Sequence, residues 1–235
     1  MRSPNTIFKT SKEIYQRDGL KSLLKRGFVF VLGQFIRYKT YYVYLNDGEG
    51  FRSVKQDDFI PKVDNMTIKT VCTNDEADEL EAQGFEFRRY ADNARKKLDA
   101  GAMAFCIFVS CQLATIGWFC TTQRAKDSLN EPPVKVDFLN GEGWVGNSWT
   151  NPKYRQMGLN TYNSIKMIEY LMETGIVLRD RYVIAKNNAP ALRADDKFGN
   201  IRYAEGRWIK VLWWRSWREK PLTTPERRTI RQQSK

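Results

Sequence analysis

Residues 150–160, TNPKYRQMGLN, place a proline, an arginine and a glycine directly before a long amphipathic segment. A strand that ends at Pro152 and turns through Arg155 into a helix near Leu159 leaves several backbone N–H groups unpaired at the helix start. These donors and the positive end of the helix bind phosphate oxygens, and Gly158 lets the backbone approach such a group closely. The segment therefore predicts a phosphate-binding turn, although an ordinary strand-to-helix turn contains the same parts.

The chain of 235 residues contains no histidine. That absence excludes Ser-His-Asp and Cys-His nucleophile systems and any metal bound through imidazole, so no metal site is predicted. Acid or base chemistry must use Asp, Glu, Tyr, Lys, Cys or water. The cysteines lie in apolar, strand-like segments without CxxC spacing, a pattern typical of buried thiols in a reducing compartment: Cys72, Cys106, Cys111 and Cys120.

The order of predicted elements bounds the fold. From residue 64 onward, periodicity and turn residues predict a strand at 66–72, one or two helices within 74–101, strands at 102–110, 113–121 and 143–150, a helix at 159–174, a strand at 181–188, a short helix at 189–199 and at most two final strands. This order predicts an α/β or α+β domain with one mixed sheet.

Residues 100–123 carry no charged side chain over 24 positions, which is long enough for a membrane-spanning helix. Ser110, Gln112 and Thr115 interrupt this run between two segments rich in strand formers. We therefore predict a hairpin of two buried strands, with a spanning helix as the alternative.

Two motifs in this order of elements resemble those of the GNAT family, the Gcn5-related N-acetyltransferases. The family pattern V-x-P-x-Y-R-G-x-G-x-G/A is matched in register by Pro152, Tyr154, Arg155, Gly158 and the apolar Leu159. The valine, the first glycine and the final small residue are replaced by Thr150, Gln156 and Asn160. The pattern N-x-x-A-x-x-L-Y-x-K-x-G-F is matched in part by Asn188, Ala191, Lys197 and Gly199. The resemblance covers residues 64–215.

The resemblance implies a GNAT-like mixed, mostly antiparallel sheet flanked by helices, and a site for acetyl-coenzyme A or another acyl-coenzyme A. In this family two neighbouring strands splay apart, and the cofactor lies between them. The pyrophosphate would then bind backbone amides of Arg155, Gln156, Met157, Gly158, Leu159 and Asn160. The pantetheine arm would follow the strand that ends at Trp149, Thr150 and Asn151, and Asn188 would hold the arm from the neighbouring strand.

Two carboxylates are the candidate catalytic residues. Strand alternation places Glu142 on the same face as Trp144, Gly146, Ser148 and Thr150, so Glu142 could act as the general base in the same cleft. The alternatives are an exposed turn glutamate and deprotonation through water. Asp195 stands where many family members carry the tyrosine that serves as general acid. It could give a proton to a thiolate only if burial keeps it protonated; otherwise another group serves.

The basic charge of the chain lies at its two ends. Residues 1–45 and residues 207–235 each contain nine lysines and arginines against two acids, whereas the region between them is nearly neutral. We predict a basic amphipathic N-terminal helical extension at 1–63, the acyltransferase domain at 64–218 and a mobile basic tail at 219–235. Residues 11–39 and the C-terminal segment could contact an anionic membrane surface, while ordinary solvated basic faces are the alternative.

Four of the seven tryptophans lie in RWIKVLWWRSWREK. Strand alternation places Trp208 and Trp214 on one face and Trp213 on the other. Core packing of a final strand is the interpretation we favour. The alternative is an exposed membrane-interface belt or acceptor groove.

These observations predict an N-acyltransferase that moves an acyl group from acyl-coenzyme A to a primary amine of a small molecule or peptide, by direct attack in a ternary complex. The alternatives are a non-catalytic coenzyme A- or membrane-binding module with the same fold and, less favoured, a nucleic-acid-binding protein. The N-terminus lacks the apolar core of a secretory signal, so we expect a cytoplasmic protein, with attachment to the inner face of the membrane as the alternative. The acceptor, the acyl length and the oligomeric state are left open.

Overall fold

A computed structural model describes residues 36–52, 55–177, 179–211 and 213–227. The described strands are β1 (Ile36–Asn46), β2 (Met66–Val71), β3 (Met103–Val109), β4 (Gln112–Cys120), β5 (Glu142–Thr150), β6 (Arg179–Ala185), β7 (Ile201–Val211) and β8 (Trp214–Arg227). The described helices are α1 (Glu49–Arg52), α2 (Asn74–Ala82), α3 (Phe87–Tyr90), α4 (Ala94–Asp99), α5 (Gln123–Ser128), α6 (Leu159–Thr174) and α7 (Ala189–Asp195). The predicted amphipathic helix that begins near residue 11 lies outside the described residues.

The strands form one sheet in the order β2-β3-β4-β5-β6-β1-β7-β8. The pairs β2–β3, β3–β4, β4–β5 and β1–β6 are antiparallel, and β5–β6 is parallel. A mixed, mostly antiparallel sheet with helices is the predicted fold class, which is therefore confirmed.

The described residues divide into two compact units. The smaller unit contains the described part of Met1–Lys39 together with Arg207–Arg218, and the larger unit contains Thr40–Gly206 and the described part of Glu219–Lys235. The larger unit holds all the residues that the sequence motifs single out.

The long uncharged segment forms the β3–β4 hairpin at the centre of the larger unit. Both strands are buried at nearly every position, which explains their continuous run of apolar residues. Ser110 and Cys111 form the two-residue turn with φ of 47° and 65°, the left-handed conformations that match the twist of a tight hairpin. The predicted hairpin is therefore confirmed. No helix in the described ranges is long and apolar enough to cross a bilayer.

Helix α6 packs across β3, β4 and β5 and has the predicted bounds. Its buried positions recur at helical spacing and form one apolar stripe: Leu159, Tyr162, Ile165, Ile168 and Leu171. Gly158 before the helix and Gly175 after it both have left-handed backbone, with φ of 78° and 63°. Glycine adopts this conformation without steric cost, so these two residues set where the helix begins and ends.

The sheet begins earlier in the chain than the predicted boundary at residue 64. Strand β1 pairs with β6 from Tyr41 opposite Ala185 to Asn46 opposite Asp180. Strand β8 likewise continues to Arg227, within the region predicted as a mobile tail. Local sequence pattern could not supply the partner of β1, because the paired residues are far apart in the chain.

Candidate active site

The parallel pair β5–β6 is short. It comprises Glu142 opposite Arg179, Gly143 opposite Asp180 and Trp144 opposite Arg181, and among the described residues the pairing of these strands ends there. β6 remains paired with β1 as far as Ala185. The first three residues of β5 are buried, whereas most of those that follow are partly exposed. The described pairing of the two strands therefore ends at Trp144, and we call the space beside the following part of β5 the gap.

A β-bulge in β5 lies at the start of this gap. Trp118 of β4 is opposite Gly146, but Ile116 is opposite Trp149, so β5 contains one extra residue. Asn147 takes up that residue with a left-handed φ of 51°. The alternation predicted from Glu142 to Thr150 consequently holds only as far as Gly146 and reverses afterwards.

The reversal sends the last side chains of β5 to opposite faces from those expected. Trp149 stacks on Tyr90 of α3, with ring centroids 5.6 Å apart. Thr150 Oγ1 lies 3.1 Å from Thr115 Oγ1, whose hydroxyl also donates to Asn160 Oδ1 at 3.4 Å. Asn160 replaces the small residue of the family pattern, and this contact turns its side chain towards the sheet.

The turn between β5 and α6 is held by its own side chains. Asn151 Oδ1 accepts a hydrogen bond from the Lys153 N–H at 3.1 Å and supports a short 3₁₀ turn, Pro152–Tyr154. Arg155 Nε donates to the Thr150 carbonyl at 3.3 Å. Arg155 therefore closes the turn from its outer side and brings its positive charge to the end of β5.

The start of α6 has the features predicted for anion binding. No described side chain caps the helix, and the first N–H groups of a helix have no partner within the helix. A Cβ added at Gly158 would meet no atom within 4 Å. Gln156 has a φ of 65°, which explains why the family pattern prefers glycine there. Met157 is 46% exposed, and residues 155–158 are all exposed, so the turn lies at the surface.

Asn188 follows β6 on the other side of the gap. Its side chain caps α7 by accepting from the Ala191 N–H at 3.4 Å. The structure therefore gives Asn188 a local structural role, and its predicted contact with a pantetheine arm stays a prediction.

Glu142 is 2% exposed and lies in a cluster of ion pairs. Arg181 Nη2 donates to Glu142 Oε1 at 2.9 Å, Arg181 Nε lies 2.7 Å from Oε2, and Arg179 Nε lies 3.1 Å from Oε1. Burial raises the pKa of Glu142, but the hydrogen bonds from Arg181 and from the Asp137 N–H outweigh burial and lower it below its ordinary value. A carboxylate held in this way is a weak base. Its predicted catalytic role stays a prediction that these contacts disfavour.

Asp195 is also buried, at 7% exposure. It accepts hydrogen bonds from the Tyr182 hydroxyl and, at 3.1 Å, from Asn200 Nδ2. Both described donors approach the same oxygen, Oδ1, and hold the carboxyl group in place. Burial, followed by the charge of Asp195, raises the pKa of Tyr182 well above its ordinary value. The role of Asp195 as general acid stays a prediction.

Glu131 is a carboxylate at the gap that motif reasoning did not identify. Its Oε1 accepts from the Asn147 N–H at 2.7 Å, so it is attached to the bulge of β5. A Cβ at Gly146 would lie 3.1 Å from Glu131 Cγ. Burial, followed by the charge of Glu131, raises the pKa of Tyr41 on β1 to about 12. Glu131 therefore lies near both β5 and β1, which flank β6, on the face that also carries Glu142.

Two buried lysines surround the same bulge. Lys97 Nζ donates to Asn147 Oδ1 at 3.0 Å, and Lys126 Nζ donates to the Pro132 carbonyl at 3.2 Å. Burial lowers the pKa of both lysines, and the charge of Glu131 opposes that change. Glu131 therefore lies among positive charges beside the bulge. Within the described ranges, no group of acidic and cysteine side chains is arranged to hold a metal ion.

Comparison with known proteins gives matches to solved structures only. No family model matches the sequence, and no curated protein matches it. A GCN5-related N-acetyltransferase-like protein from Streptococcus suis is 13% identical, with a TM-score of 0.45 over 88% of this chain and 69% of that chain. A tandem GNAT protein from the clavulanic acid biosynthesis pathway is 15% identical, with a TM-score of 0.47 over 78% of this chain and 53% of that chain.

A Drosophila protein is 12% identical, with a TM-score of 0.45 over 80% of this chain and 57% of its own length. This chain thus spans less than two thirds of the Drosophila protein and of the tandem GNAT protein. Likeness at this level does not assign a reaction. The strand order, the short parallel pair that opens into a gap, and the helix that begins at the end of β5 agree with the GNAT-like fold that the sequence motifs predicted.

Proposed function

We propose that the protein transfers an acyl group from acyl-coenzyme A, most simply acetyl-coenzyme A, to a primary amine. The observation that supports this proposal most directly is the separation of β5 from β6 beside the uncapped start of α6. An extended arm in the gap could pair with the free backbone edge of β5. Its pyrophosphate would then lie at the helix start, where backbone N–H groups and the helix dipole favour negative charge.

The residues present fit this ligand at both ends of the gap. At the helix start, Gly158 leaves open space and Arg155 adds a cation. At the other end, the paired residues Trp144 and Arg181 close the gap. The thioester would lie between these limits, next to the bulge at Asn147.

The proposed reaction is a direct displacement. The amine nitrogen forms a bond to the thioester carbonyl carbon, the carbon–sulfur bond breaks, and the nitrogen loses one proton. The sulfur leaves as a thiolate and takes up a proton from water.

We assign the proton-accepting role to Glu131 instead of Glu142. Glu131 Oε1 accepts from the Asn147 N–H at the bulge, next to the position proposed for the thioester. Arg181 contacts both oxygens of Glu142, which makes Glu142 a weak base. Glu142 then acts as a positioning residue, because its ion pairs with Arg179 and Arg181 join the paired ends of β5 and β6. Its loss would change the width of the gap as well as the stability of the fold.

A coenzyme A-binding module without transfer is the second candidate. Two observations favour it. Asp195, at the position of the family's general acid, accepts a hydrogen bond from Tyr182, and Glu142, the predicted general base, is ion-paired with Arg181. Binding without acyl transfer to any amine of a broad panel would support this candidate over the enzyme.

Calorimetric titration with acetyl-coenzyme A tests the site itself. Gly158→Trp would fill the space at the start of α6 and should reduce affinity by at least about a hundredfold, equal to about 2.7 kcal/mol. Gly175→Trp is the matched control, because Gly175 lies at the other end of the same helix, has left-handed backbone and also faces open space. It carries similar strain and should leave affinity unchanged. Failure of the unmodified chain to bind, or equal affinity in both variants, would refute the proposed site.

A further inference from the structure

The turn between β7 and β8 exposes two adjacent tryptophans. β7 ends at Val211 and β8 begins at Trp214, so the chain turns through Trp213. The side chain of Trp213 is 86% exposed and that of Trp214 is 55% exposed. Trp208, by contrast, is 6% exposed. The predicted core role therefore holds for Trp208, whereas the turn brings Trp213 and Trp214 to the surface together.

The same segment is uniformly basic. Residues 207–218 contain no acidic residue and include four cations: Arg207, Lys210, Arg215 and Arg218. Of these, the side chains of Arg207, Arg215 and Arg218 are exposed. The smaller unit also includes Tyr38, which is 59% exposed, and the exposed Lys39. This unit therefore combines exposed aromatic rings with positive charge.

On both strands, a cation lies close to the turn that carries the two tryptophans. Lys210 is the last residue but one of β7, and Arg215 directly follows Trp214 at the start of β8. Tryptophan favours the boundary between lipid tails and headgroups, and lysine and arginine favour anionic headgroup phosphates just outside it. Nucleic acid would instead require aromatic rings along a groove that follows the sugar-phosphate backbone.

We propose that the β7–β8 turn docks on an anionic lipid surface by inserting Trp213 and Trp214 among the headgroups. The cations on the two strands contact the lipid phosphates and make binding depend on anionic lipid. This surface is defined by residues 207–211 and 213–218, and it operates whether or not the candidate active site transfers an acyl group.

Vesicle binding of the full chain tests this proposal. The chain should cosediment with vesicles of equal parts phosphatidylcholine and phosphatidylserine and bind vesicles of phosphatidylcholine alone weakly. The double variant Trp213→Ser, Trp214→Ser should bind the anionic vesicles more than about tenfold less tightly, because it loses the apolar area that would enter the interface. Leu139→Ser is the matched apolar control, since Leu139 is 99% exposed in the larger unit, and it should bind unchanged.

Two charge-reversal variants separate the contribution of the cations from that of the tryptophans. Arg215→Glu should weaken binding to anionic vesicles by at least roughly fivefold, and Lys135→Glu, at an exposed position of the larger unit, should not. Brominated lipid should quench tryptophan fluorescence in the unmodified chain and quench it much less in the double tryptophan variant. Thermal unfolding checks that each variant is folded.

Three results would overturn the proposal. The first is no binding to anionic vesicles at low salt. The second is equal binding of the double tryptophan variant and the unmodified chain. The third is tighter, salt-dependent binding to DNA or RNA than to vesicles, which would assign the surface to nucleic acid.

Discussion

Glu142 and Asp180 are two buried carboxyl groups at neighbouring positions of the same parallel pair, on opposite faces of the sheet. Glu142 is opposite Arg179, and Gly143, the next residue of β5, is opposite Asp180. Two arginines contact Glu142, and its pKa is lowered. Asp180 accepts a described hydrogen bond from Asn46 Nδ2 at 2.8 Å, and burial raises its pKa to about 7.

The difference shows that burial alone does not decide the state of a carboxyl group. Both groups are almost inaccessible, but cations supply the charge compensation on one face and an amide supplies a hydrogen bond on the other. The ion pairs with these arginines make Glu142 a structural link between β5 and β6. Glu142 is therefore a weak base, and we propose Glu131, whose Oε1 accepts from the Asn147 N–H at the bulge, in its place.

The largest expected effect is on turnover. Glu131→Gln keeps an acceptor for the Asn147 N–H but cannot take a proton, so kcat/KM for amine acylation should fall by roughly 10²–10⁴. The acid side of the pH–rate profile should also flatten. The measurement is thiol release from acetyl-coenzyme A over a panel of amines, with thermal unfolding as a check on folding.

Three further variants make that result specific. Glu169→Gln, in a partly exposed pair with Lys166, should have no effect on turnover. Glu142→Gln should reduce turnover less than Glu131→Gln, and Asp195→Asn should change it by no more than a few fold. Loss of the pH dependence in Glu142→Gln, with full activity in Glu131→Gln, would restore Glu142 as the base.

The next largest effect is on stability. Glu142→Ala leaves the partly buried Arg181 without its carboxylate partner and should lower the free energy of unfolding by about 3 kcal/mol. Glu169→Ala removes one partner of the more exposed pair on α6 and should cost less than about 1 kcal/mol. Urea unfolding at neutral pH measures both. Equal losses of unfolding free energy in the two variants would show that the buried ion pairs do not stabilise the link between β5 and β6.

The smallest expected effect is a pH dependence of the free energy of unfolding, which comes from Asp180 on the opposite face of the sheet. The folded-state pKa of Asp180 is about 7, above its unfolded value of about 3.9, so folded chains keep a proton that unfolded chains lose. Stability from this group is complete below the unfolded pKa and is lost as pH rises towards 7. Between pH 5 and pH 7 the loss should be about 2 kcal/mol.

Asp180→Asn should remove this pH dependence, because asparagine can still accept from Asn46 without acquiring charge. The carboxyl of Asp195 and the hydroxyls of Tyr182 and Tyr44 face the same region and remain in the variant. Urea unfolding of both proteins at pH 5 and pH 7 is the measurement. Parallel stability changes in the two proteins would place the titration on another group.

The comparison also explains where prediction from sequence succeeded. The bounds of α6 were predictable because Gly158 and Gly175 flank an apolar stripe of helical period. The β3–β4 hairpin was predictable because polar residues divide a long apolar run at Ser110 and Gln112. In both cases the information is local, within one turn or one strand of the residues concerned.

Side-chain direction along β5 was not predictable. One extra residue at Asn147 reverses the alternation, and it is recognised only by the pairing of β5 with β4. The partners of Glu142 are likewise hidden, because Arg179 and Arg181 lie on a different strand far along the chain. Glu131 could not be singled out because the connection that contains it has no regular periodicity.

By itself, the sequence determined the order of elements, the turn before α6, the absence of histidine chemistry and the basic character of both ends. Periodicity, glycine positions and composition are properties of neighbouring residues, so they can be recognised from the sequence without knowledge of the fold. Only the tertiary structure decided that β5 and β6 separate after Trp144, that Glu142 is ion-paired while Glu131 lies at the bulge, and that Trp213 and Trp214 are exposed. These features depend on contacts between residues distant in the chain, whose charges and hydrogen bonds act only when folding brings them together.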